Sequence, residues 1–212
     1  MNQAELAYKD YQQNYNRIVE KWHQARTTLP AMDKLLFDEF LAQLPKSAAI
    51  LDLGCGTGIP IAKKLAERGH RLTLVDCSES QLAIAKKILP KATFVCAPME
   101  SYEISSQYHG IVIWDSLFHL PRHTHESILR RAFLHLEKGG IVLITSGGSK
   151  EDLEPFTDEM FGEIFYYDSH PIPSFIELVQ SIGFEPIVQA LLNKPDGEKD
   201  KGRVGLILKK SS

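Results

Sequence analysis

Ile50-Leu51-Asp52-Leu53-Gly54-Cys55-Gly56-Thr57-Gly58 runs from an apolar strand straight into three alternate glycines. A helix pattern follows: Ile61, Ala62, Leu65 and Ala66 recur at helical spacing, with Pro60 near the first turn, where a missing N–H costs little. Gly54 and Gly56 let the backbone adopt conformations closed to other residues, so a ligand can lie against the main chain with helix N–H groups aimed at it. Strand, glycine turn and helix in this order form one unit of an open α/β sheet. Such sheets bind ligands outside the carboxyl ends of their strands, where strand order reverses.

Outward from this turn, short apolar runs alternate with helical patterns, as in a mainly parallel sheet covered on both faces. Ala48 to Leu53, Leu72 to Asp76, Thr93 to Cys96, Gly110 to Asp115 and Gly140 to Thr145 are the expected parallel strands. Ser78 with Gln81 reads as a capping box that opens a helix carried by Leu82, Ala85 and Leu89. Thr124 is placed to cap a helix that buries Ile128, Leu129, Ala132 and Leu136 and stops at Gly139-Gly140. The aromatic stretch from about 147 to 170 reads as an insertion over the sheet edge. A helix near Ser174 to Ser181 then precedes an antiparallel hairpin, Phe184 to Leu192 and Val204 to Lys209, joined by a solvated loop from Lys194 to Lys201.

Residues 1–45 lack strand signals and are expected as a helical cap on a main domain of residues 46–212. Tyr8, Tyr11, Tyr15, Ile18 and Trp22 form one apolar stripe at steps of three and four, which suits packing on the main domain or a lid over a ligand. The chain has 212 residues, 43% of them hydrophobic, enough for one domain with a modest extension. Its formal charge is −3, with no run of like charges, which disfavours binding to nucleic acid or to a membrane surface. Apolar runs are too short for a transmembrane helix, and the first residues lack a signal-peptide pattern, so the expected location is cytoplasmic. Cys55, Cys77 and Cys96 are too widely spaced for a disulfide framework or a cysteine metal site and are expected to be buried.

Asp52 precedes the glycine turn and Asp76 ends the next strand, where a ribose diol is held in such folds. A nicotinamide fingerprint wants Gly or Ala at position 59, and this chain has Ile59. An acid before the turn suits an ammonium or sulfonium group better than a pyrophosphate. On these residues the chain resembles the class I S-adenosylmethionine-dependent methyltransferases, whose first motif is matched by Asp52 to Gly58. The resemblance implies a doubly wound, Rossmann-like, three-layer α/β/α fold with a seven-stranded sheet whose last strand is antiparallel. It also implies S-adenosylmethionine as cofactor. Asp52, Gly54, Cys55, Gly56, Thr57 and Gly58 would hold its methionine end, Asp76 its ribose, and Cys77 and Ser78 would lie beside the adenosine. The adenine would fall near Ala97, Pro98 and Met99; Pro98 stands where members often carry an acid, which leaves the Met99 side chain and backbone.

Trp114-Asp115-Ser116-Leu117-Phe118-His119 follows the fourth strand, and in the family this segment faces donor and acceptor. It lacks the prolines of amino-methylating nucleic-acid enzymes, so a small-molecule acceptor is expected, with no nucleic acid, no membrane and a monomer or homodimer. His119 is the candidate base, since imidazole titrates near neutral pH. Asp115 would orient it or position the acceptor. Tyr11, Tyr15, Trp22, Ser116, His119 and Tyr166 are candidate acceptor contacts, and Tyr167 and His170 in the insertion are further candidates to line that pocket, where an aromatic run also suits simple packing. His119, His123, His125 and Glu126 lie close in sequence, but they flank a helix start and should point apart, so no metal site is expected. A nicotinamide-dependent oxidoreductase and a non-catalytic nucleotide-binding protein are the alternative readings of the same fold.

Overall fold

The computed structural model describes residues 3–196 and 201–211. Helices α1 (Gln3–Ala25) and α2 (Ala31–Gln43) lead into β1 (Ala49–Leu53), α3 (Ile61–Glu67), β2 (Arg71–Asp76), α4 (Glu79–Ile88), β3 (Thr93–Cys96) and β4 (Tyr108–Ile113). After a 3₁₀ turn at Leu117–His119 come α5 (Arg122–Leu134), β5 (Leu136–Gly147), β6 (Phe156–Met160), β7 (Glu163–Tyr167), α6 (Ile172–Ile182), β8 (Phe184–Asn193) and β9 (Arg203–Lys210). Seven strands form one sheet in the order β3-β2-β1-β4-β5-β9-β8. The first five are parallel, and β9 runs antiparallel between β5 and β8.

Alternation along the central strands splits the core in two, because successive side chains point to opposite faces. Leu51 and Leu53 pack with Ile128 and Leu129 of α5 and Val179 of α6. Ile50 packs on the other face with Phe37 and Phe40 of α2, Leu65 of α3 and Leu82 of α4. This is the three-layer α/β/α arrangement. The two N-terminal helices are divided between layers: α2 belongs to the second core, whereas α1 lies across the carboxyl ends of the strands.

Several boundaries differ from those read in the sequence. Pro121 precedes the first turn of α5, and Thr124 lies inside that turn with its hydroxyl donating to the Pro121 carbonyl at 2.8 Å. That helix stops at Leu134 instead of Gly139-Gly140, because Leu136 pairs with Tyr108 and starts β5 early. Ser78 does cap α4, accepting from the Gln81 N–H at 3.2 Å. The reciprocal half of the box does not form, since the Ser78 N–H is taken by Asp76. The insertion is a two-stranded sheet of β6 and β7 that packs on α1 and the 3₁₀ turn, over the strand tips instead of the sheet edge. Cys96 is exposed, unlike Cys55 and Cys77. Of the expected loop from Lys194 to Lys201, residues 197–200 lie outside the described residues.

Candidate active site

The glycine turn after β1 and the segment after β4 meet where the strand order reverses. Gly54 has φ of +82°, and a Cβ there would fall 2.4 Å from the Ser116 Cβ, so the turn passes under the β4 tip only without a side chain. Ser116 in turn donates its hydroxyl to the Leu53 carbonyl at 2.9 Å, tying the two tips together. Asp76 accepts the Gly56 N–H and the Ser78 N–H, each at 2.8 Å, which sets the shape of the turn. Its carboxyl is raised by burial, an effect that these backbone donors oppose.

Asp52 is 2% exposed, and among the described residues its carboxylate has no hydrogen-bond partner. Burial, with Asp76 close by, pushes its carboxyl up to about 8. Gln81 is a second polar group left open: its Oε1 and Nε2 are both buried without a partner. Both residues border one cavity of about 100 Å³. A buried carboxylate, an amide offering both donor and acceptor, and the apolar walls of Ala97 and Met99 fit the ammonium, hydroxyl and base of S-adenosylmethionine.

Of the residues expected at the donor, Asp52, Gly54, Cys55, Gly56, Thr57, Asp76, Cys77, Ala97, Met99, Trp114 and Asp115 border this cavity. Gly58, Ser78 and Pro98 do not. A Cβ on Gly58 would sit 2.8 Å from the Leu89 Cδ1, so this glycine serves close packing on α4. Ser78 is fully buried, capping α4 and donating to Asn16 Oδ1 at 2.7 Å. Pro98 starts a turn, its carbonyl accepting from the Ser101 and Tyr102 N–H groups.

On the acceptor side, His119 Nδ1 lies 3.0 Å from the Tyr166 carbonyl, which can only accept, so this nitrogen carries the proton. Nε2 is then a lone pair, and the Tyr15 hydroxyl donates to it at 2.9 Å. Burial drives the imidazole down to about 4, so the ring is neutral near pH 7. Asp115 does not serve as its orienting partner; the Tyr166 carbonyl does. Asp115 faces two arginines instead, pairing with Arg26 and, at 2.7 Å, with Arg203. Burial alone would raise the Asp115 carboxyl, but Arg26 and Arg203 outweigh it and hold the group below its ordinary value. Its backbone is left-handed at φ 49°, with the N–H bonded to Thr145 Oγ1 at 2.7 Å. Tyr166 turns its hydroxyl to Asp168 at 3.1 Å, away from the site, so Tyr167 is the β7 tyrosine that faces open space. His125 bonds the Leu120 carbonyl and lies against the His170 ring, so it has partners separate from those of His119.

Tyr11, Tyr15 and Trp22 all reach the cavity from α1, and α1 is fastened on both sides of it. Toward the donor side, Tyr11 donates to Glu100 at 3.3 Å, Asn16 holds Ser78 and Ser80, and His23 bonds Thr57 at 3.0 Å. Toward the acceptor side, Asn14 donates to the Ile164 carbonyl at 2.7 Å, and Arg26 pairs with Asp115. Gln81, Arg26 and Arg203 were missed in the sequence, whereas Tyr167 was among the insertion residues expected to line the acceptor pocket and does border open space. Gln81 reads there only as a capping partner, and Arg203 lies 88 positions from the aspartate it holds.

Residues 50–140 match the family model described as Methyltransferase domain. A Bacillus subtilis (strain 168) protein described as "Putative methyltransferase YqeM" is 33% identical over 130 residues, 58% of this chain and 51% of its own length. The trans-aconitate 2-methyltransferase of Variovorax paradoxus (strain S110) is 28% identical over 142 residues, 66% of this chain and 52% of that protein. The chain thus spans about half the length of the curated relatives it matches. Among solved structures, the Burkholderia thailandensis 1,6-didemethyltoxoflavin-N1-methyltransferase superposes with a TM-score of 0.74 at 18% identity, over 100% of this chain and 92% of that one. The family match is confined to residues 50–140, while the chain as a whole shares the fold of that solved methyltransferase.

Proposed function

We propose that this protein methylates a small molecule with S-adenosylmethionine, and that His119 and Tyr15 manage the proton released. The observation that carries this reading is the buried Asp52 carboxyl and the unpartnered buried amide of Gln81, on a cavity whose wall continues directly to the neutral imidazole of His119. When bound, S-adenosylmethionine supplies a methyl group on a sulfonium, which leaves by direct displacement. The protein's part is to place the acceptor in line and exclude water. Asp52 faces the ammonium end, and Asp76 keeps lone pairs for the ribose beyond the two backbone donors it already accepts. As the acceptor's oxygen or nitrogen takes the methyl, its proton passes to the Tyr15 oxygen while Tyr15 gives its own proton to His119 Nε2. Asp115, although committed to arginines, stabilises the imidazolium through space.

No helix among the described residues is long and apolar enough to cross a membrane. The cytoplasm is the compartment this reading assigns, in keeping with three free cysteines. Calorimetry with S-adenosylmethionine, S-adenosylhomocysteine and NAD is the test. The first two bind and NAD does not, and Asp76→Ala weakens S-adenosylhomocysteine by about tenfold or more through loss of a charge-assisted hydrogen bond. Binding of NAD alone would reverse the assignment in favour of an oxidoreductase.

A further inference from the structure

A second cavity of about 420 Å³ lies beyond the first, and Trp22, Arg26, Asp115 and His119 border both. Its size falls within the roughly 300–1,000 Å³ usual for small-molecule sites. Three rings on its wall are nearly parallel. Phe156 and Tyr167 have centroids 5.3 Å apart at 11°, and Phe118 and Tyr167 are 6.0 Å apart at 24°. Tyr167 also lies against the His119 ring, centroids 4.8 Å apart, so the aromatic wall ends at the candidate base.

The charges nearest His119 on this wall are held in ion pairs. Arg26 and Arg203 share Asp115, Arg203 also holds Asp33 at 2.9 Å, and Asp168 is held by Arg122 at 2.5 Å. Two arginines face two aspartates, and Asp168 shares Arg122 with the exposed Asp152. Beside His119, an anionic group on the acceptor would have to pull an arginine from a buried carboxylate, and a cationic one would have to displace an arginine from Asp115, either of which leaves a buried ion unpaired; Glu154, Asp158 and Lys201 also border the cavity.

We propose that this cavity is the acceptor chamber and that it takes an uncharged, planar aromatic or heteroaromatic molecule bearing an O–H or N–H. The ring lies along Phe156 and Tyr167, in the offset-stacked geometry aromatic pairs prefer, and the proton-bearing atom projects past His119 toward the donor cavity. The methyl carbon bonds to that oxygen or nitrogen, the carbon–sulfur electron pair stays on sulfur, and the proton goes to the Tyr15 and His119 pair.

The inference rests on the methyltransferase reading, and titrations in two stages keep the two apart. Calorimetry first establishes S-adenosylhomocysteine binding; its absence fails the methyltransferase reading itself. The saturated protein is then titrated with 8-hydroxyquinoline, 2-naphthol, citrate and putrescine. The two planar compounds bind about tenfold or more tightly than citrate or putrescine, and Phe156→Ala and Tyr167→Ala each weaken them several-fold, as loss of a ring contact predicts. Tighter binding of citrate or putrescine, no binding of either planar compound, or planar binding indifferent to both substitutions would overturn the assignment. The affinity for S-adenosylhomocysteine in each variant shows whether the donor half remains folded.

Discussion

Asp52 couples donor binding to protonation. With its carboxyl pushed up to about 8 by burial and by Asp76, the group is mostly protonated at pH 7, roughly nine molecules in ten. An ammonium placed against it favours the carboxylate, so its pKa falls on binding and the proton leaves. Calorimetric titration with S-adenosylhomocysteine at pH 7, repeated in phosphate and in Tris, is expected to give enthalpies whose slope against buffer ionisation enthalpy corresponds to release of about one proton. Asp52→Asn abolishes that slope and weakens binding; a slope of zero in the native protein would show that Asp52 does not face the ammonium. The same shift sets a stability trend in the free protein. A carboxyl whose folded pKa lies above its unfolded one contributes most below about pH 4, and its contribution is lost progressively as pH rises toward about 8. The two acids were visible in the sequence because their places are fixed locally, one before the glycine turn and one at the end of β2. The protonation of Asp52 was not, since it depends on how deeply the surrounding elements bury it.

Helix α1 is the element on which access depends. The donor cavity is about 100 Å³, against the roughly 300–1,000 Å³ of ordinary ligand sites, and Tyr11, Tyr15 and Trp22 of α1 fill its outer side. A nucleoside-sized ligand is therefore expected to enter when α1 swings away, which would break its hydrogen bonds to Ser78, Thr57, His119 and the Ile164 carbonyl. Amide hydrogen exchange is the suitable measurement, because a helix that must open in the native state exchanges at the low-stability end of the molecule. Exchange in residues 8–25 should run well ahead of that in β1 and β4 in the free protein, then slow when S-adenosylhomocysteine holds α1 against the occupied site. Exchange in α1 as slow as in the central strands, with and without ligand, would mean that the helix does not gate the site. The stripe of Tyr8, Tyr11, Tyr15, Ile18 and Trp22 announced this helix, because helical periodicity is carried by near neighbours. The β6 and β7 hairpin beneath it was not recognised, since its aromatic residues alternate too briefly to separate a strand from an irregular loop. The early start of β5 was hidden for a related reason: Leu136 becomes a strand residue only by pairing with Tyr108, a contact the local sequence does not record.

At the scale of the whole molecule, the ion cluster around Asp115 joins α1, α2, β9 and the tip of β4. Arg203 from β9 reaches both Asp33 of α2 and Asp115, and Arg26, which follows α1, closes the cluster. Such a buried network holds distant elements in one arrangement, and it adds stability only while every member has its partner. No motif marks it in the sequence, for its members lie in segments separated by most of the chain; the glycine turn, by contrast, was readable from nine consecutive residues. Arg203→Met removes the central cation and leaves Asp33 and part of Asp115 uncompensated, which costs about 3 kcal/mol. For a chain of this size that lowers the melting temperature by roughly 10 °C. Replacing Asp33 by Asn in the same protein removes one of the stranded charges, so the double variant should recover part of the loss. Melting curves of the native protein, both single variants and the double variant give the coupling between the two positions. Simple additivity of the two single effects would show that Arg203 and Asp33 act independently, and that the cluster does not bind the cap and the sheet into one cooperative unit.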